Sequence, residues 1–161
     1  MANLYLPSEI DVTLKGNDVT VVDIDGQSYY VEILDAEGNE EQPYMMDIWF
    51  SFGEGFLLAF AVNDLESFEY LKELHKKILK SKHGTIPPIL LLGCKNDLEN
   101  ERKVSYDDAK QLAESWGTEY IESSAKKNLN CEETLKKIAE KIIEYKKNCS
   151  HKSSCCLCNI M

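Results

Sequence analysis

No apolar run in this chain is long enough to cross a bilayer, which excludes a helical membrane span within it. Met1-Ala2-Asn3-Leu4 also lacks the basic, then apolar, then small-residue order of a secretory signal. Positive charge is scarce: 18 Lys and Arg stand against 28 Asp and Glu, a net charge of −10. There is no basic stripe, so nucleic acid is not an expected partner. Histidine is rarer still, and none accompanies the six cysteines at zinc-finger spacing. Four of those cysteines (Cys149, Cys155, Cys156 and Cys158) fall in the last thirteen residues. That clustering is not a disulfide framework around a core and reads instead as lipid chemistry on a cytosolic tail. The remainder is ordinary: 43% hydrophobic and 29% charged residues over 161 positions. Such a chain is one globular domain, burying about two-thirds of its unfolded surface.

Residues 10–34 read as strands. Ile10-Asp11-Val12-Thr13-Leu14 alternates, and Val19 to Ile24 is β-branched. Asp25-Gly26 is a hairpin turn into Gln27–Leu34. Gln42 to Phe52 carries more apolar residues than one helix face holds, so part is core and the surplus is a contact surface. Gly55 to Val62 is a continuous apolar run, hence a strand buried on both faces, and Ile89 to Leu92 is a second. Between them Asn63-Asp64 caps a helix with Phe68, Leu71, Leu74, Ile78 and Leu79 at helical spacing. Ser105 with Asp108 opens another helix, which Gly117 ends; Tyr120-Ile121 is a short strand. A last helix runs from about Asn130 through Leu135, Ile138, Ala139, Ile142 and Tyr145. This alternation predicts an α/β fold: a parallel sheet with helices on both faces and its ligand sites beyond the strands' carboxyl ends.

Chemistry collects at those ends. Asp35, leaving a buried strand three residues before Gly38, has the geometry of a Mg²⁺ and phosphate site, although the same pair describes an ordinary strand-to-loop turn. After the second buried strand comes Gly93-Cys94-Lys95-Asn96-Asp97, and after the short one Glu122-Ser123-Ser124-Ala125-Lys126. A carboxylate such as that of Asp97 accepts from both the N1–H and the exocyclic amine of guanine, a donor pair that adenine lacks. The Lys95 stem can lie along the base, and a backbone N–H near Ala125 can donate to O6. Each loop alone is unremarkable; together and in this order they are specific.

At this point the chain resembles a small GTPase of the Ras family. Asp35 to Glu41 resembles that family's D-T-A-G-Q-E-E, and Gly53-Glu54-Gly55-Phe56 the stretch before its fourth strand. Cys94 to Asp97 is similar to N-K-x-D, Glu122 to Lys126 to E-[TS]-S-A-K, and Cys158-Asn159-Ile160-Met161 fits C-a-a-X. The likeness runs from about Val19 to the end. It implies a divergent segment over 1–18, a partial Ras-like GTPase domain over 19–147 and a lipidated tail over 148–161. The implied fold is three-layered and P-loop-NTPase-like, with a parallel-rich sheet lacking the family's first strand, phosphate loop and first helix. GTP/GDP and Mg²⁺ are the implied ligands. Lys95, Asp97, Ser124, Ala125 and Lys126 would serve the guanine, Gly38 the γ-phosphate and Asp35 the metal. For the metal's switch threonine, ungapped alignment from Asp25 places Thr13, but Tyr5-Leu6-Pro7-Ser8 resembles the same motif followed by an insertion. Effectors and regulators are implied at the switch-like region 35–52.

The departures are specific. Nothing matches G-x-x-x-x-G-K-[ST], so the lysine on the phosphates, the hydroxyl on Mg²⁺ and the cradle of backbone N–H groups are missing. Asn39 stands where the family's glutamine orients the attacking water and is one methylene shorter. Glu37 brings negative charge to the γ-phosphate position, and Cys94 replaces an asparagine that ties neighbouring loops together. The expectations are weak nucleotide binding and inefficient hydrolysis. Two alternatives stand beside a GTP-dependent signalling protein: a nucleotide-independent pseudo-GTPase and an inactive truncated product. In the family the first strand lies between the third and fourth. Its absence is expected to leave a gap that closes up, is filled by Ile10–Leu14 or takes a partner. The terminal Met161 favours farnesyl on Cys158, with Cys155 and Cys156 as palmitoylation candidates and Lys146, Lys147 and Lys152 nearby. The implied location is the cytoplasmic face of the plasma membrane or endomembranes.

Overall fold

The computed structural model describes the backbone of residues 2–5, 18–35, 43–83 and 85–153, and the side chains of 19–34, 46–83 and 85–149. Six strands form one sheet: β1 (Ala2–Tyr5), β2 (Asp18–Ile24), β3 (Gln27–Asp35), β4 (Gly55–Ala61), β5 (Ile89–Cys94) and β6 (Glu119–Glu122). Their spatial order is β2-β3-β1-β4-β5-β6. The helices are α1 (Pro43–Phe52), α2 (Leu65–Ser81), α3 (Tyr106–Ser115) and α4 (Cys131–Ser153).

Local chemistry sets most of these elements. Asp25 and Gly26 both take positive φ (52° and 79°), the requirement of a two-residue turn that follows the strands' twist, and β2 and β3 pair directly across it. The Asp64 carboxylate accepts from the backbone N–H groups of Glu66 (3.1 Å) and Ser67 (3.4 Å) and so starts α2. Ser105 Oγ accepts from Asp108 N at 3.0 Å and starts α3. Gly117, at φ 67°, ends it.

β4 is apolar throughout because both its faces are covered. Phe56, Leu58 and Phe60 pack with Met46 and Phe50 of α1, Phe68, Leu71, Leu74 and Ile78 of α2, and Ala109 and Ala113 of α3. Leu57 faces the other way, with Val31, Leu90, Ile121, and Ile138, Ala139 and Ile142 of α4. One face thus carries three helices and the other α4. At the start of β4, α4 comes so close that a Cβ on Gly55 would lie 2.6 Å from Ile142 Cδ1. Ile142 is fully buried and has nowhere to swing. Gly55→Val is therefore expected to cost about 1–3 kcal/mol, read as a lower urea midpoint, and Ile142→Ala in the same chain should recover part of it. An unchanged midpoint would mean that α4 does not sit on β4 in this way.

The α/β fold expected from the sequence is the one that forms, with helices on both faces of the sheet. Its parallel part is the β4–β5–β6 half; β2 pairs antiparallel with β3, and β1 antiparallel with both neighbours. One expectation needs correction: the place between the third and fourth strands is not vacant, because Ala2–Tyr5 occupies it. Ala2 stands opposite Asp35 and Leu57, and Leu4 opposite Ile33 and Gly55. The physical reason is that two inner strands with unpaired edges accept whatever extended segment can reach them, and four residues suffice. Ile10–Leu14 lies outside the described residues.

Candidate functional site

β3 and β4 both run antiparallel to β1, and β4, β5 and β6 are parallel, so all four strands run toward one edge. β5 ends at Cys94, and Lys95 takes a left-handed backbone (φ 61°) that turns the chain sharply. The turn aims Asn96 N at Ser123 O (3.1 Å), while Ser123 N donates to Gly93 O (2.8 Å). The β5–β6 ladder thereby continues into the two loops and locks them side by side. Asp97 comes to face Ser124, whose hydroxyl donates to Asp97 Oδ1 at 2.5 Å. The exposed Lys126 ammonium stands 4.0 Å from Oδ2. Ser124 itself is fully buried; its backbone pairs with Leu129 and its Oγ accepts from Lys127 N at 3.2 Å.

The hydrogen bond from Ser124, helped by the Asp97 backbone N–H and then by the charges of Lys126 and Lys127, outweighs burial and holds the Asp97 carboxyl below its ordinary pKa. It is therefore a carboxylate at neutral pH. Each of its oxygens carries two acceptor positions, so one bond to Ser124 leaves Oδ1 and Oδ2 able to take a donor apiece. That is the acceptor pair a guanine edge requires. Lys95, Asp97, Ser124, Ala125 and Lys126 are thus brought together at one edge. Asp35 ends β3 running toward the same edge but level with Leu57 and Leu90, four residues short of Ala61 and Cys94. Gly38, Asn39, Thr13, Cys155, Cys156 and Cys158 lie outside the described residues.

Behind the loops is a network that the motif pattern does not reveal. Arg102 donates to both carboxylate oxygens of Glu122 (2.8 and 3.0 Å) and, through Nε, to Glu99 (2.9 Å). Asn96 Nδ2 (2.8 Å) and the Tyr120 hydroxyl (2.7 Å) also donate to Glu122. Burial pushes the Glu122 carboxyl up, but the bonds from Arg102, Tyr120 and Asn96 together outweigh it and leave the group below its ordinary pKa. One part-buried carboxylate therefore joins the loop before Asp97 to the strand before Ser124. This tie stands in for the one expected to be lost at Cys94, whose thiol burial pushes up and which bonds Ser123. The available sequence signal was the Glu99–Arg102 spacing; nothing local pointed twenty residues on to Glu122.

Two clefts, of about 230 and 170 Å³, lie at the opposite edge of the sheet, away from these loops. Among the described residues no group of three or more His, Cys, Asp or Glu side chains is placed to hold a metal ion.

Comparison with known families gives a match to the Ras family over residues 3–144. This chain belongs to the Ras family. Among its relatives are the GTP-binding protein Rheb of Bos taurus, 36% identical over 140 residues that cover 82% of this chain and 73% of that protein. Rheb of Homo sapiens is 35% identical over 133 residues, 80% of this chain and 70% of its own length. The Ras-related protein Ral-B of Mus musculus is 39% identical over 138 residues, 81% and 66% of the two chains. Membership implies GTP or GDP with Mg²⁺ as the family's ligands and effectors and regulators as its partners. In this Ras-family chain the residues present fit the guanine end of such a ligand.

Arg102→Ala strands Glu122 in a part-buried position with its charge unpaired. The side chains are 16% and 10% exposed. Removal is expected to cost about 2–4 kcal/mol in chemical denaturation, slightly below the range for fully buried pairs. The same carboxylate sets a pH dependence. Because its folded pKa is depressed, its contribution is complete above the unfolded value near 4.5 and is lost as pH falls through the lower folded value. The Arg102→Ala chain should lose less stability than the parent between neutral pH and that acid range. Equal acid sensitivity would refute the pairing.

Proposed function

We propose that this chain is a membrane-tethered signalling protein of the Ras family that keeps the guanine-reading loops but holds nucleotide weakly and hydrolyses GTP inefficiently. The observation that carries the reading is the Asp97 carboxylate, fixed by the buried Ser124 hydroxyl at 2.5 Å with Lys126 beside it. Asp97 reads the base, Ser124 and Ala125 form its wall, and Lys95 and Lys126 flank it. At the phosphate end, Asp35 and Thr13 are the metal-facing candidates, Gly38 the γ-phosphate contact and Asn39 the residue at the water-orienting position. No G-x-x-x-x-G-K-[ST] segment completes that end in these 161 residues. Residues 1–18 form a divergent lead-in, 19–147 the Ras-like domain and 148–161 the tail, prenylated at Cys158 and acylated at Cys155 or Cys156. The tether places the chain on a cytoplasmic membrane face, with effectors at 35–52, where Ile48 is exposed.

The test is the nucleotide released when the purified full chain is denatured. Far less than one GDP or GTP per chain is expected. A stoichiometric amount would show that another segment replaces the phosphate loop and would overturn the weak-binding part.

A second reading, a binding module with no nucleotide switch, is favoured by one observation. Ala2–Tyr5 completes the sheet, so the fold closes without a strand that leads into a phosphate loop. Effector capture that ignores added GTP or GDP would support it, and strict GTP dependence would exclude it.

A further inference from the structure

We infer that the amino-terminal edge of the sheet is a docking face for an anionic lipid bilayer, one that fixes how the domain stands on the membrane. The chain is acidic overall, at −10, but its charge is unevenly placed. α2 and α4 both run back from the carboxyl edge, so their last turns meet at the amino edge, beside the start of β4. Ile142 of α4 packs on Gly55 there, and Lys146 pairs with Glu54 at 2.7 Å. Toward this edge the last two turns of α2 carry the exposed Lys76, Lys77 and Lys80, and α4 carries the exposed Lys147; none forms an ion pair among the described residues, although the Lys77 ammonium lies over the Tyr70 ring at 6.0 Å. The same edge exposes two large apolar side chains, Phe52 (77% exposed) and Ile86 (69% exposed). Each lines one of two adjoining clefts that share Pro87 and Tyr145.

Basic side chains around a few isolated apolar ones suit a charged interface better than a protein partner, which calls for a contiguous apolar centre. Lysine stems can lie in the headgroup region with the ammonium on phosphate, while Phe52 and Ile86 reach the acyl boundary. The acidic excess does not oppose this. Glu66, Glu99, Asp107 and Glu132 sit at helix starts on the carboxyl edge. The seven residues of β4 span roughly 23 Å, and the Debye length at physiological salt is about 8 Å. Glu54, paired with Lys146, and Glu119, paired with Lys137 and Lys141, lie on this edge, and the exposed Asp25, Glu73 and Glu144 are the further acidic groups that offset part of its positive charge. α4 also delivers the tail that carries Cys155, Cys156 and Cys158 from this same edge, so tether and face would act on one surface.

The proposal takes its setting from the membrane-tethered reading, but its test does not need a lipid anchor. The full chain, made without prenylation, is sedimented with vesicles of phosphatidylcholine alone and of phosphatidylcholine mixed with phosphatidylserine. Binding is expected only with phosphatidylserine, falling as salt rises. Lys77→Glu with Lys80→Glu should weaken it roughly tenfold or more. Phe52→Ser should weaken it about threefold. Should the first pair of substitutions fail to unfold cooperatively, Lys76→Glu with Lys147→Glu replaces it. Absence of a phosphatidylserine preference, or variants that bind like the parent, would overturn the face. If farnesylated parent and variant then bind vesicles equally, the tether stands and the docking face alone falls.

Discussion

Deleting Ala2–Tyr5 is expected to abolish the cooperative unfolding transition of this protein. β1 is the shared partner of two inner strands, pairing with β3 from Glu32 to Asp35 and with β4 from Gly55 to Leu57. Without it, the facing backbone N–H and C=O groups of both strands lose their partners inside the sheet. Each buried orphan costs about 1–3 kcal/mol, so half a dozen cost about 6–18 kcal/mol. A domain of this kind has about 5–15 kcal/mol in total. Leu4→Pro is the milder version. Leu4 lies opposite both Ile33 and Gly55, and proline there removes a ladder donor and clashes locally, for about 3 kcal/mol or more. Urea titration followed by the fluorescence of Trp49 and Trp116 reads both variants. A deletion that unfolds like the parent would mean that β3 and β4 close on each other without β1.

The second large effect concerns the ligand. Titrated side by side with Rheb, this chain is expected to bind Mg²⁺–GDP at least about four orders of magnitude more weakly. The estimate follows from what the 161 residues do not contain: the phosphate lysine, the Mg²⁺ hydroxyl and the N–H cradle. Four charge-assisted contacts at about 1.5–3 kcal/mol each amount to about 6–12 kcal/mol, or four to nine decades. Whatever binding is left should still favour guanine over adenine, because the base loops are locked together by Asn96, Ser123 and Glu122. Asp97→Ala should erase that preference. Affinity equal to that of Rheb, or a base preference indifferent to Asp97, would sink the assignment.

What was legible in the sequence was what is local. β4 and β5 show as unbroken apolar runs, and α2 as a cap followed by helical spacing, because burial on both faces or on one stripe leaves a periodic mark. The loops 93–97 and 122–126 show because their polar side chains lie a few residues apart, and the β5–β6 ladder sets them side by side. Residues 42–52 were ambiguous for a physical reason. α1 buries Met46 and Phe50 but leaves Ile48 and Phe52 outside, so its apolar count exceeds its core contribution. β1 was not legible, since Ala2-Asn3-Leu4-Tyr5 has neither length nor alternation, and its place is set by the two edges it joins. Its direction was equally hidden. Arg102 was missed because its partner Glu122 is brought close only by the β5–β6 crossover.

The position of β1 also fixes when the fold can be finished. Its partners are residues 32–35 on one side and 55–57 on the other, all downstream. The β2–β3 hairpin can close within microseconds of being made, and α2 is equally local. β1 has a first partner once Asp35 has been made, but its other edge stays open until β4 has been synthesised, roughly 3–10 s after β1 itself at ordinary translation rates. Both pairings close loops far longer than any hairpin's. Among the described strands, the earliest in the sequence is the one that completes the sheet last.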